Sequence, residues 1–205
     1  MKSRLALVAA GAALAALAMP SSAAPPVPQV TDLTGDANMI NGQLLSGDPL
    51  PPGVPTPVGS DNSKDIVSVL FESQKSKAGV CTGFRATLEL KGPANLSNVL
   101  YRVRSVSAVN TTGFWLQHRN NVSLGTVTTL RLIGGPEVKT IPLTLATVAE
   151  NKIIFNLTMS DLKAAGESAK TVLSNLGSDI RTDAWQLTAP QWDEALSDSS
   201  FKVCG

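Results

Sequence analysis

Residues 84–91, Phe84-Arg85-Ala86-Thr87-Leu88-Glu89-Leu90-Lys91, alternate apolar and polar side chains without a break. Successive side chains of a strand point to opposite faces. Phe84, Ala86, Leu88 and Leu90 therefore share one face, and Arg85, Thr87, Glu89 and Lys91 the other. One face is buried and one is wet.

The same period recurs on both sides of this stretch. Val67, Val69 and Phe71 fall on one face, with Ser68 and Glu72 on the other. Val99 to Val106 turns Tyr101 and Val103 inward and Arg102 and Arg104 outward. Phe114 to His118 and Thr126 to Ile133 read as further strands. Lys139 to Leu145 reads as an edge strand, because Pro142 has no N–H to give a ladder. Lys152 to Thr158 sets Ile153, Phe155 and Leu157 against Ile154 and Asn156. Asp179 to Leu187 and Ser200 to Val203 close the series. Between them, Gly92-Pro93 and Gly134-Gly135-Pro136 are turn signals. Ser160 is placed to cap a helix, with Asp161 in its first turn. Leu162, Ala165, Ala169, Val172, Leu173 and Leu176 follow at helical spacing, and Gly177 is a fitting stop. The expectation is an all-β chain, an antiparallel β-sandwich of about eight strands with one short helix.

Ahead of this body, residues 1–24 read as a secretory signal peptide. Lys2 and Arg4 precede an apolar run from Leu5 to Ala18, and Ser21-Ser22-Ala23-Ala24 supplies small residues for cleavage. The run is shorter than the roughly 20 residues a membrane span needs. No membrane span is expected, and the alanine-rich leader looks bacterial. Residues 25–64 form an extended, proline-rich leader that carries an Asp/Asn/Gly loop at 30–43. Pro49, Pro51, Pro52, Pro55 and Pro57 exclude a central strand there. Residues 65–205 are the sandwich body, one domain with 30–43. Without the leader, Lys and Arg fall from 17 to 15 against 16 Asp and Glu, a formal charge of −1. A balance so near neutral argues against nucleic acid as a partner. The two cysteines, Cys81 and Cys204, are expected to pair in an oxidising compartment.

The loop Val30 to Gln43, VTDLTGDANMINGQ, gathers oxygen donors at short spacing. Asp32, Asp36, Asn38 and Asn41 suit a hard cation such as calcium, which takes several oxygen ligands. Gly35 and Gly42 allow the chain to turn around it. The spacing is not that of an EF-hand, since Ile40 and Asn41 stand where an acceptor and a glycine are required. An Asx-rich turn without an ion is the alternative reading of the same residues.

The segment Thr31-Asp32-Leu33-Thr34-Gly35-Asp36-Ala37-Asn38 also resembles the opening of DOMON-like β-sandwich domains, including the glucodextranase-type accessory domain. In these an Asp-x-x-Gly-Asp segment precedes a run of alternating strands, and secreted bacterial proteins of unknown function open similarly. The tail Leu187 to Val203, LTAPQWDEALSDSSFKV, is similar to the end of such proteins. The resemblance covers Thr31 to Val203. It implies a sandwich, calcium, and binding of sugar or another ligand, and it implies no reaction.

Catalytic chemistry finds few residues. His118 is the one histidine, it lies in a strand, and no GxSxG, HExxH, P-loop or GxGxxG accompanies it. Asp183, Asp193, Glu194 and Asp198 cluster near the C-terminus, where loop solvation or a cation site suits them. No enzyme is expected. Sugars stack on aromatic rings while polar groups bond their hydroxyls, so Trp192, Trp185 and Tyr101 are the candidate ligand-binding residues, and Trp115 reads as a core anchor. The expected role is a secreted, non-catalytic binding domain for an extracellular glycan or small ligand. The rival is a structural or envelope-associated domain that docks a protein partner.

Overall fold

The structure, a computed structural model, describes residues 25–35, 37, 61–94, 98–108, 112–121, 125–133, 139–142, 146–182 and 191–205. Twelve strands and one helix lie within them. In chain order they are β1 (Val30–Thr31), β2 (Ile66–Lys75), β3 (Cys81–Leu90), β4 (Val99–Ser107), β5 (Gly113–Asn121), β6 (Gly125–Ile133), β7 (Lys139–Pro142), β8 (Ala146–Ala149), β9 (Lys152–Thr158), α1 (Met159–Ala164), β10 (Val172–Thr182), β11 (Gln191–Ser197) and β12 (Phe201–Lys202). Two antiparallel sheets result. The smaller runs β1-β2-β3-β9-β8, and the larger runs β11-β10-β4-β5-β6-β7, with β12 paired to β10. The chain is an all-β sandwich with one short helix, as the alternation of residues 84–91 requires.

The inner faces carry the side chains that alternation assigned to them. Phe84, Ala86, Leu88 and Leu90 of β3 are fully buried, and so are Ile153 and Phe155 of β9. Opposite them lie Val103, Phe114, Leu116, Leu130 and Ile180 of the larger sheet. Phe71 and Phe84 of the smaller sheet meet Phe201, with ring centroids 5.5 and 5.8 Å apart, and Phe84 also meets Phe114 at 6.2 Å. β9 passes β3 so closely at Gly83 (φ +148°) that a Cβ there would run into the Leu157 carbonyl.

Two polar ties close the ends of the sandwich. Asp193 of β11 accepts the Ile66 amide of β2 at 2.6 Å, joining the larger sheet to the smaller. Cys81 at the start of β3 is bonded to Cys204, just past β12, across 123 residues and a Cα separation of 5.9 Å. The expected pairing of the two cysteines is therefore present.

Several elements differ from the sequence reading: among the described residues the strands number twelve rather than about eight, β1, β8 and β11 being additional to those expected, and the helix, β2 and β10 are placed otherwise. The helix ends at Ala164, and its cap is Thr158 rather than Ser160. The Thr158 hydroxyl accepts the Asp161 amide while the Asp161 carboxylate accepts the Thr158 amide, a reciprocal capping box. Val172, Leu173 and Leu176, spaced for a helix, belong instead to β10, which pairs on one side with β4 and on the other with β11 and β12. A bulge between Ile66 and Ser68 shifts the phase of β2, so Ile66 turns inward in place of Val67. β7, with Pro142, sits at the edge of the larger sheet, as its proline demands.

His118 lies in the core beside Tyr101, its cross-strand neighbour, and burial holds its imidazole below the usual histidine value. The unfolded chain takes up a proton near pH 6.5 that the folded chain refuses until lower pH. Stability from this residue is thus complete above about pH 6.5 and declines as the pH falls below it. The urea midpoint should drop between neutral and mildly acidic pH, and His118→Gln should flatten that slope.

Candidate functional site

The outward positions of the larger sheet carry an unusual set of side chains. Cross-strand register places Asp179 of β10 beside Arg102 of β4, Arg102 beside Gln117 of β5, and Gln117 beside Thr129 of β6. The next row runs Gly177, Arg104, Trp115 and Arg131. The row on the other side runs Gln191, Arg181, Leu100 and Arg119. Five of the seven arginines in the chain therefore occupy one face of one sheet. Their facing carboxylates are Asp179 and Glu194, which pair across β10 and β11.

Asp179 is the centre of this array. It is completely buried, and it accepts Arg102 Nε at 2.8 and 3.1 Å on its two oxygens, with Arg102 Nη2 bonded as well. Arg104 Nη1 lies 3.7 Å away and Arg181 Nε 3.6 Å away. Arg104 also pairs with Glu194, and Arg181 donates to Gln191 Oε1 at 3.2 Å. The Arg102 guanidinium stacks 3.9 Å from the centroid of Trp115, and that of Arg131 lies 5.8 Å from the same ring. Both distances are within cation–π range.

The electrostatics follow from this crowding. Burial lowers the Arg104 and Arg181 guanidiniums below the usual arginine value, their cationic neighbours lower them further, and Asp179 works in the opposite sense. Arginine stays charged through such shifts. The face thus carries five guanidiniums against Asp179 and Glu194, with Arg102 and Asp179 buried and Arg104, Arg119, Arg131 and Arg181 part-exposed. Arg104 and Arg131 each keep a buried Nε–H without a hydrogen-bond acceptor in the structure. The Arg104 and Arg131 side chains are otherwise part-exposed, and guanidiniums bind planar anions through two parallel bonds.

The residues singled out in the sequence are distributed elsewhere. Tyr101 is fully buried, and its hydroxyl donates to the Ser63 carbonyl at 3.0 Å, so it presents no ring to a ligand. Trp192 packs against the core, with Lys64 Nζ 4.0 Å above its ring. Trp185 lies outside the described residues, as do Asp36, Asn38, Asn41 and residues 1–24. Asp32 accepts the Leu33 amide at 2.9 Å. Trp115 is not the core anchor expected of it, because it stands half-buried on the outward face among arginines. Asp193 holds the Ile66 amide and Glu194 pairs with Arg104, so these two carboxylates serve the sheet. Among the described residues no group of three or more His, Cys, Asp or Glu side chains could hold a metal ion. No helix among them is long and apolar enough to cross a membrane.

No protein-family model matches the chain, and no curated protein and no solved structure matches it. Fold and site alone define it, as an antiparallel β-sandwich with an arginine-lined sheet face. The signal for that face stood in the sequence as Arg102-x-Arg104 and Trp115-x-Gln117-x-Arg119, polar and aromatic residues at outward strand positions. What the sequence could not supply was the register that sets these two motifs side by side and brings Arg131 and Arg181 to them.

Removing one partner from a buried ion pair is far more damaging than removing an exposed charge. Asp179→Asn should lower stability by about 3–5 kcal/mol, whereas Arg131→Gln should cost about 1 kcal/mol or less. Urea denaturation of the two variants measures the difference.

Proposed function

We propose that the chain is a secreted, non-catalytic ligand-binding sandwich whose ligand lies on the outward face of the larger sheet. The observation that carries this reading is the gathering of five arginines on that face, three of them (Arg102, Arg104 and Arg131) beside Trp115. A sandwich of this size needs no such array to fold, since its core is already supplied by the inner faces. His118, the one histidine, is enclosed between the sheets, which supports binding rather than histidine-based catalysis. The disulfide and the apolar leader support an extracellular setting. The resemblance to DOMON-like domains agrees with a sugar or other small ligand, now sought at Trp115 in place of Tyr101.

Calcium at the Asp32 loop belongs to the same proposal. Asp65 supports it: its fully buried carboxylate accepts the Gly35 amide at 2.6 Å and faces Lys91 at 3.3 Å, while Oδ1 has no hydrogen-bond partner in the structure. Calcium should raise the melting temperature relative to chelator-treated protein, and Asp65→Asn should shrink the rise. An identical melting curve with calcium and with chelator would remove the ion from the proposal and leave the loop an Asx-rich turn.

The ligand itself is to be sought by affinity gel electrophoresis against a panel of neutral and acidic polysaccharides. Retardation by at least one of them is expected in the wild type and loss of it in Trp115→Ala. Retardation that persists in Trp115→Ala would move the binding face away from the larger sheet.

A further inference from the structure

We infer that the ligand of the arginine face is an acidic polysaccharide, a chain of sugars bearing carboxylate or sulfate groups; this rests on the ligand-binding reading above and specifies its chemistry. Three observations carry it. The first is charge: among the described residues five guanidiniums share the face with the carboxylates Asp179 and Glu194, in a chain that is close to neutral as a whole. An excess of one sign gathered on one surface is a footprint for the opposite sign. The second is the kind of cation. Every positive group around Trp115 and Asp179 is arginine, whose planar fork matches carboxylate and sulfate in a way that a lysine ammonium does not. The third is spacing. Neighbouring strands lie roughly 4.8 Å apart, so Arg104 and Arg131, with Trp115 between them, are anchored roughly 10 Å apart. Such a spacing meets charges set apart by sugar rings.

One further polar group selects this class over a denser polyanion. Glu194, part-exposed beside Arg104, opposes closely spaced phosphates more than carboxylates set apart by sugar rings, and its carboxylate can accept from the hydroxyls between them. Trp115 stiffens the array, since the part-exposed Arg131 lies against its ring, with buried Arg102 stacked on the same ring, and loses less freedom when it engages an anion.

The test uses the chain with its disulfide intact and four probes: polygalacturonate, heparin, neutral dextran and a DNA duplex. Binding to polygalacturonate or heparin at low salt is expected, weakening as salt is added. Arg131→Gln and Arg104→Gln should each weaken it about tenfold or more. Arg131→Lys, which keeps the charge and loses the fork, should restore only part of the affinity. Thermal melts of each variant confirm that it remains folded. Binding to dextran alone, lost in Trp115→Ala, would overturn the acidic ligand and keep the face as the binding site. Equal affinity for the DNA duplex would overturn the polysaccharide class. Acidic-glycan binding untouched by both arginine substitutions would overturn the inference and the binding face together, as would binding to none of the four probes.

Discussion

Phenylalanine rings from both sheets hold the two layers of this protein together. Phe71 and Phe84 reach up from the smaller sheet, and Phe114 and Phe201 reach down from the larger, in tilted contacts between 5.5 and 6.2 Å. Each such pair contributes beyond its buried area, and all five phenylalanines of the chain are buried. Because a strand alternates, filling the inner face settles the outer one as well. Once Tyr101, Val103, Phe114 and Leu116 are committed to the core, Arg102, Arg104, Trp115 and Gln117 have no direction left but outward. The arginine face is thus the far side of the core-forming pattern.

What keeps that face from repelling itself apart is Asp179. Like charges brought close in a poorly hydrated setting oppose one another strongly, and a fully buried carboxylate among Arg102, Arg104 and Arg181 is the counterweight. The Ser178 hydroxyl, one residue earlier, donates to the Arg102 carbonyl at 2.8 Å and ties the same two strands on the opposite face. β10 and β4 are therefore joined through backbone ladder, ion pair and hydroxyl at one point. The rigidity of the site comes from the centre of the sheet, where loop motion does not reach.

Much of this fold could be read from residue order. The alternation in β3, β4 and β9 named its buried side chains correctly, and Pro142 correctly marked an edge. The failures have physical causes. Leu162, Ala165, Ala169, Val172, Leu173 and Leu176 satisfy a period of 3.6, yet the backbone of residues 172–182 is claimed by partners on both sides, and a central strand's ladder outweighs a weak local preference. The Thr158–Asp161 box one turn earlier needs only a short helix to satisfy it. In β2 the bulge at Ile66 inserts one residue and reverses the faces before Val69, an irregularity that counting by twos cannot register. The site was hidden for a related reason. Arg102 and Arg104 were visibly outward, but nothing in the order of residues says which strands lie side by side. Trp115, read as a core residue because tryptophans are few, is drawn outward by phase: it sits between Phe114 and Leu116, both of which face the core.

The bond between Cys81 and Cys204 also decides how the domain answers to mechanical tension. Every strand from β4 to β12 lies within the closed loop of covalent chain that this bond defines. A pull arriving along the backbone before Cys81 and leaving after Cys204 passes through sulfur and bypasses them all. The load falls on β1, β2, their ladder to β3 and the Asp193 tie from β11 to Ile66, while the arginine-bearing strands stay out of the covalent force path. A ligand on the arginine face, as proposed, would stay bound while the amino-terminal strands peeled away.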